Sequence, residues 1–164
     1  MMTLRVNGRP WVMDGRPDRT LADVLRRDLN LIGCRVSCDE GECGSCTVLV
    51  DGQPTTACLM LAAQAEGRDV LTIEGLGTPE NLHPIQSAFI DEQGFQCGFC
   101  TPGFIMAAVA FLAEHPKPTE DEVAVAMSGN ICRCGAYPYI VRSVMRAARD
   151  LSQGASPAHG GNGR

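Results

Sequence analysis

The sequence predicts an α+β chain in two parts. A small domain of strands and one helix covers residues 1–76, a bundle of four helices covers residues 77–151, and a polar tail occupies 152–164. Three observations predict this. Short runs of alternating apolar residues, bounded by Asn-Gly and Asp-Gly pairs, fill the first part, as in half-buried strands joined by tight turns. Apolar residues at three- and four-residue spacing, punctuated by Pro, Thr and Gly, fill the second, as in amphipathic helices. Cysteines cluster at short intervals in each part, between the predicted elements rather than inside them.

In order along the chain, Thr3 to Arg9 and Pro10 to Gly15 read as two strands joined at Asn7-Gly8. Thr20 begins a helix, with Asp23 three residues on as a weak variant of the capping box. Leu21, Val24, Leu25 and Leu29 give it one apolar face. Thr47-Val48-Leu49-Val50 is a strand ending at Asp51-Gly52, the segment Leu59 to Ala62 is buried, and Val70 to Ile73 is the last strand. In the second part, Pro84 starts a helix that stops near Gly94. Thr101 is the N-cap of the next, with Pro102 first in the helix, and that helix ends before Pro116. Thr119-Glu120-Asp121-Glu122 is a capping box for a third helix ending at Ser128-Gly129. Pro138 opens the fourth, whose Ile140, Val141, Val144, Met145 and Ala148 share a face. The tail, rich in Gly, Ser and Ala, is expected to be mobile unless a partner binds it.

Composition narrows the function. The chain has 164 residues, 45% of them hydrophobic, enough for one domain or two small ones with modest cores. The net charge is −5 without a basic tract, so nucleic acid is not an expected partner. No apolar run approaches the ~20 residues of a membrane span. Strand-like sequence begins at Thr3, so no signal peptide is visible and a cytoplasmic location is expected. Nine cysteines are an odd count for a disulfide scaffold, and their spacing is that of metal ligands.

Cys38, Cys43 and Cys46 follow C-x4-C-x2-C, with Cys58 after eleven further residues. This is the plant-type ligand pattern of a [2Fe–2S] cluster, and Gly41 and Gly44 suit the tight loop it requires. Cys97 and Cys100 form C-x2-C, and Cys132 and Cys134 form C-x-C after 31 intervening residues. By itself this second set of four is open between zinc and iron–sulfur. Beside a plant-type loop, two clusters with a path for electrons between them is the economical reading. Cys34 breaks the count and reads as a partly buried free thiol, with a redox-sensitive or substitute ligand as the alternative. His83, His115 and His159 lack metal spacing and read as structural or solvated. Arg133 reads equally as an exposed side chain or as one tuning a cluster. Asp39, Glu40 and Glu42 form a solvated face or a docking patch for a basic partner, and Phe111-Leu112 reads as core. No Ser/His/Asp set, phosphate loop or paired-carboxylate site appears, so substrate chemistry is assigned to another polypeptide.

Gly41-Glu42-Cys43-Gly44-Ser45-Cys46-Thr47-Val48, Gln96-Cys97-Gly98-Phe99-Cys100-Thr101-Pro102-Gly103 and Gly129-Asn130-Ile131-Cys132-Arg133-Cys134 together resemble the iron–sulfur subunit of the xanthine oxidase family of molybdenum hydroxylases, over about residues 3–150. Ser37 stands where many members have glycine, and Gly135-Ala136 where they have Thr-Gly. The run Cys132 to Tyr137, and Thr72 to Gly77 leading to Asn81-Leu82-His83-Pro84, resemble the branch of aldehyde oxidoreductases and isoquinoline 1-oxidoreductases. The resemblance implies a β-grasp plant-type ferredoxin domain followed by a four-helix-bundle [2Fe–2S] domain. It implies Cys38, Cys43, Cys46 and Cys58 as ligands of one cluster and Cys97, Cys100, Cys132 and Cys134 of the other, with Gln96 and Cys134 also touching a pterin. The implied partners are a large subunit holding molybdopterin, in its cytosine dinucleotide form, and a subunit holding FAD. The implied role is electron transfer between them in a heterotrimer that hydroxylates aldehydes, or alternatively N-heteroaromatics. A free-standing two-cluster ferredoxin shuttle and a structural zinc protein are the competing classes.

Overall fold

The computed structural model describes residues 2–13 and 18–154. The expected end of the first hairpin at Asp14-Gly15, and residues 155–164 of the expected mobile tail, lie outside the described residues.

Two strands, β1 (Met2–Val6) and β2 (Arg9–Met13), pair antiparallel around Asn7-Gly8. Both turn residues have positive φ, 50° and 76°, the twist that two-residue hairpins favour. Helix α1 (Leu21–Asp23) follows, with the Thr20 hydroxyl accepting from the Asp23 amide at 3.1 Å. The predicted helix exists, but it widens at once into a π-helical turn over Val24–Asp28. That turn buries both Val24 and Leu25 and closes with the Leu29 amide donating to the Val24 carbonyl. Arg19 forks onto the Asp28 carboxylate at 2.7 and 2.9 Å, tying the entry of this helix to its exit.

After the cysteine loop, β3 (Thr47–Val50) and β4 (Gln53–Thr56) form a second hairpin, and β5 (Asp69–Leu71) completes a five-stranded sheet in the order β2-β1-β5-β3-β4. Only the β1–β5 pair is parallel. Strand β4 is absent from the sequence-based expectation because Gln53-Pro54-Thr55-Thr56 is polar and contains proline. It is an edge strand, where a residue without an N–H is tolerated. The segment Leu59 to Ala62 is likewise not buried throughout: Leu59 and Leu61 are exposed, Met60 is half-buried against the core, and Ala62 is fully buried at the start of a 3-10 turn over Ala62–Ala65.

All four residues of β3 are buried. Successive side chains point to opposite faces of a sheet, so β3 serves two cores. Val48 and Val50 join Leu4, Val6, Leu21, Val24, Leu25 and Val70 on one side. Leu49 joins the helices on the other. A strand covered on both faces reads as a continuous apolar run rather than an alternation.

The helices are α2 (Pro84–Asp91), α3 (Thr101–Glu114), α4 (Glu120–Met127) and α5 (Tyr137–Ser152). They share a core that includes Phe89, Phe104, Met106, Val123, Ile140 and Val144. His83 caps α2, its Nδ1 accepting from the Ile85 amide at 3.2 Å, and is buried, a structural role. The capping box of α4 is present: the Thr119 hydroxyl accepts from the Glu122 amide, and the Glu122 carboxylate accepts from the Thr119 amide at 2.7 Å. Thr101 is not the cap of α3. Cys100 already has right-handed helical angles and occupies that position, so Thr101 lies inside the helix, its buried hydroxyl lacking a hydrogen-bond partner. Leu112 is core, as expected, whereas Phe111 is only partly buried and stacks on His115.

Helix α3 lies so close to the cysteine loop that a Cβ on Gly103 would press into the Gly44 carbonyl oxygen and come within 3.0 Å of Ser45 Cα. Those are backbone atoms and cannot swing aside. Gly103→Ala is therefore expected to cost about 1–3 kcal/mol, read as a Tm lowered by several degrees. Gly129→Ala, where a new Cβ meets nothing within 4 Å, serves as the control and should stay within ~0.5 kcal/mol. Hydrogen bonding from Arg19 holds the Asp28 carboxyl below the ordinary carboxylate range. A lowered folded-state pKa stabilises above the unfolded value and loses that contribution as pH falls through the folded one. Asp28→Asn should accordingly lower Tm at neutral pH and flatten its decline below about pH 4, as followed by thermal melts across pH.

Candidate metal centres

Cys38, Cys43 and Cys46 of the first set hang on the loop between α1 and β3, and Cys58 comes from the turn after β4. Asp39, Gly41 and Gly44 take positive φ, 59°, 78° and 69°. This coil turns backbone amides inward. The amides of Glu40 and Cys43 each donate to Cys38 Sγ at 3.4 Å. These bonds, the Glu40 amide foremost, bring the Cys38 thiol down to about 7. Cys46 and Cys58 lie side by side deeper in the domain, both buried. Burial pushes the Cys46 thiol up to about 12, and Cys58 and Cys43 are close enough to act on it. The four residues of the plant-type pattern thus come together.

The second set joins the turn before α3 to the turn before α5. Cys97 is exposed, and its thiol is lowered first by the Phe99 amide and then by the neighbouring Cys134 thiol. Cys100 is buried, which pushes it up to about 12, with Cys132 adjacent and Cys97 within electrostatic reach. Cys132 Sγ accepts from the Ala136 amide at 3.4 Å. Tyr137 holds this turn: its hydroxyl accepts from the Cys132 amide at 3.0 Å and donates to the Asn130 carbonyl, while its ring stands edge-on to Phe104 at 6.0 Å. These four residues also come together. Among the described residues, no three His, Cys, Asp or Glu side chains surround a single metal-ion position. Four sulfurs shared between two irons need not do so.

The two loops are bound to each other. Asn130 Nδ2 donates to the Gly44 carbonyl at 2.9 Å, and the Ile131 amide donates to the Cys43 carbonyl at 2.9 Å. A Cβ on Gly44 would stand 2.5 Å from that Asn130 nitrogen, so the contact requires glycine there for space as well as for φ. Neither Asn130 nor Tyr137 carries a role in the sequence reading. Both act on backbone groups brought near only by folding, so no local sequence signal marks them.

The other candidates sort simply. Cys34 is buried, its thiol facing the Cys46 carbonyl at 3.6 Å and pushed up to about 12 by burial. All nine cysteines are free thiols. Gln96 and Arg133 are exposed beside Cys97 and between Cys132 and Cys134. Asp39, Glu40 and Glu42 are exposed on the first loop. No described helix is long and apolar enough to cross a membrane.

Residues 4–72 match the 2Fe-2S iron-sulfur cluster binding domain family, and residues 72–145 match the [2Fe-2S] binding domain family. The aldehyde oxidoreductase iron-sulfur-binding subunit PaoA of Escherichia coli strain K12 is 47% identical over 165 residues, covering 92% of this chain and 72% of its own. This chain belongs to the iron–sulfur subunits of the xanthine oxidase family. The nicotinate dehydrogenase small FeS subunit of Eubacterium barkeri is 42% identical over 146 residues, 89% of this chain and 93% of its own. Among solved structures, quinoline 2-oxidoreductase from Pseudomonas putida 86 superposes with a TM-score of 0.89 at 42% identity, over 94% of this chain and 97% of the matched chain. Aldehyde oxidoreductase from Desulfovibrio gigas superposes with a TM-score of 0.88 at 39% identity, over 93% of this chain and 17% of a far longer one. Two domains of this family, each matching a 2Fe-2S cluster binding description, make the chain a carrier of two [2Fe–2S] clusters within an oxidoreductase complex.

Cys34 packs beside the first set without belonging to its four-residue pattern. Cys34→Ala is expected to leave iron and sulfide content per chain unchanged, while the small void lowers stability by about 1 kcal/mol. Colorimetric iron and sulfide assays beside a thermal melt check both.

Proposed function

We propose that this chain is the electron-transfer subunit of a multisubunit molybdenum hydroxylase of the aldehyde oxidoreductase type. It would carry electrons from molybdopterin, in its cytosine dinucleotide form, on a large partner subunit to FAD on another. The residues fit two [2Fe–2S] groups: each set offers four thiols within mutual reach, and backbone amides point at Cys38 and Cys132. Cys38, Cys43, Cys46 and Cys58 would hold one cluster, and Cys97, Cys100, Cys132 and Cys134 the other. Bound there, a [2Fe–2S] cluster takes up and passes on one electron at a time, plant-type centres near ~−400 mV. The protein's part is to hold the sulfurs, aim amides at them and exclude water from the buried members. The sheet with α1 is read as a β-grasp ferredoxin domain over residues 1–76, and α2–α5 as a four-helix cluster domain over 77–151.

One observation carries the reading. The two sets sit on loops locked to each other, yet they open on chemically different surfaces. Around Cys97 and Cys134 the exposed large apolar and aromatic residues are Phe95, Phe99, Ile131 and Tyr137, with polar Gln96 and Arg133 exposed among them. Around Cys38 the exposed charged residues are Asp39, Glu40 and Glu42, with Ser37 beside them and exposed Leu59 against Gly41. An apolar, aromatic rim suits a permanent partner, and we assign it to the molybdopterin subunit, with Gln96 and Cys134 reaching the pterin. The acidic rim suits a second partner, the one holding FAD. For a free-standing shuttle the first surface would have no use. Aldehydes are the favoured substrate class, by likeness to the Escherichia coli and Desulfovibrio gigas proteins, with N-heteroaromatics second by likeness to the quinoline and nicotinate enzymes. Nine free thiols suit assembly in the reducing cytoplasm.

The test is metal and sulfide analysis of the purified chain with low-temperature EPR after dithionite reduction. About four irons per chain, no zinc and two distinct [2Fe–2S] signals are expected. One signal, or zinc with no reducible centre, would overturn the assignment. Co-purification of two partner polypeptides, one holding molybdenum and one holding flavin, is the further expected outcome, and a chain isolated alone with both clusters would favour the shuttle.

A further inference from the structure

Arg35 belongs by sequence to the first cysteine loop, three positions before Cys38, but its side chain leaves that loop. Its Nη1 donates to the Gly98 carbonyl at 3.2 Å, and its guanidinium lies over the Phe99 ring, 5.5 Å from the centroid. Gly98 and Phe99 are the two residues between Cys97 and Cys100. The path that delivers Arg35 is itself held on both sides: Arg26 donates to the Cys34 carbonyl at 2.7 Å, and the Gly33 amide donates to Glu74 at 2.7 Å.

We propose that Arg35 is a positioning residue of the second cluster, contributed by the first domain, that holds the Gly98–Phe99 turn in place and raises the reduction potential of the group bound by Cys97, Cys100, Cys132 and Cys134. The inference rests on the two-cluster reading above. Reduction adds one electron, hence one negative charge, to that group without proton or ligand exchange. A cation fixed alongside stabilises the added charge. The hydrogen bond to Gly98 acts in the same direction. It steadies the turn whose next amide, that of Phe99, is directed at the Cys97 sulfur, and donors to sulfur favour the more negative state. Gly98, at φ 75°, has no side chain of its own to brace the turn. A half-buried guanidinium in a cation–π contact is also less screened than a surface lysine. A mere tie between the two domains would affect stability and leave the potential alone.

The experiment is an EPR-monitored redox titration of the full chain carrying both clusters, in wild type, Arg35→Gln and Arg35→Lys. Iron content is measured on each, and Cys134→Ser identifies which signal belongs to the second set. Arg35→Gln is expected to keep both signals and shift the reduction equilibrium of the second cluster about tenfold toward the oxidised form, 59 mV lower for one electron. The first cluster should be unmoved. Arg35→Lys, which keeps charge but not the planar fork, should recover part of the shift. Unchanged potentials in both variants, with or without a lower Tm, would overturn the proposal, as would a shift confined to the first cluster. A wild-type chain lacking two signals would overturn the cluster reading itself and is seen before any variant is made. Should Arg35→Gln lose iron, the neutral Arg35→Met decides instead: wild-type potentials of both clusters in an iron-replete Arg35→Met would also overturn it.

Discussion

The Gly44 carbonyl is the point on which the rest of the structure depends. It accepts from the Thr47 amide and hydroxyl within its own loop and from Asn130 across the domain boundary, while Gly103 of α3 packs against it. Three segments far apart in sequence therefore meet at one peptide group, and two of them can approach only because residues 44 and 103 have no Cβ. The Ile131–Cys43 bond beside it extends the same seam. Buried polar contacts of this kind tolerate little displacement, since a broken one leaves a desolvated group unpaired. The seam therefore holds the two cysteine loops in a fixed relation to each other.

A common electrostatic pattern recurs in both sets. Each has one thiol near the surface, Cys38 or Cys97, lowered by backbone amides, and one buried thiol, Cys46 or Cys100, raised by desolvation. Ligand thiols must lose their protons when metal binds. In the proposed clusters the amides beside the surface member would favour its thiolate, while the buried member would need the positive charge of the metal to offset its desolvation. Burial that penalises a bare thiolate is the same burial that keeps water from a bound cluster.

Strand β3 shows how two small cores become one body. Its four residues are too few to look like anything but a short strand, and its two faces are used by different partners. Val48 and Val50 close the sheet domain, and Leu49 is handed to the helices. Neither part of the chain buries its apolar residues fully alone, in keeping with the modest core that domains of this size can build.

Much of this was legible in the sequence because the signals are local. The Asn7-Gly8 hairpin, the Thr119–Glu122 capping box, the helix opened by Pro84 and the grouping of eight cysteines by spacing each depend on residues a few positions apart, and each appears in the structure. The misreadings share a cause. Strand β4 exists because β3 offers it an edge, the helix after Thr20 widens to bury two adjacent apolar residues, Leu59 and Leu61 stay exposed, and α3 starts at Thr101 because Cys100 is drawn into the turn. Arg35, Asn130 and Tyr137 lay beyond sequence reasoning for the same reason, since each acts on a group in another segment. The sequence by itself determined which residues are chemically able to serve, because thiols, glycines and caps are defined by type and spacing. Only the tertiary structure decided which surfaces they share and what charge stands beside each sulfur, because burial, hydrogen bonding and electrostatic distance are properties of segments brought together by folding.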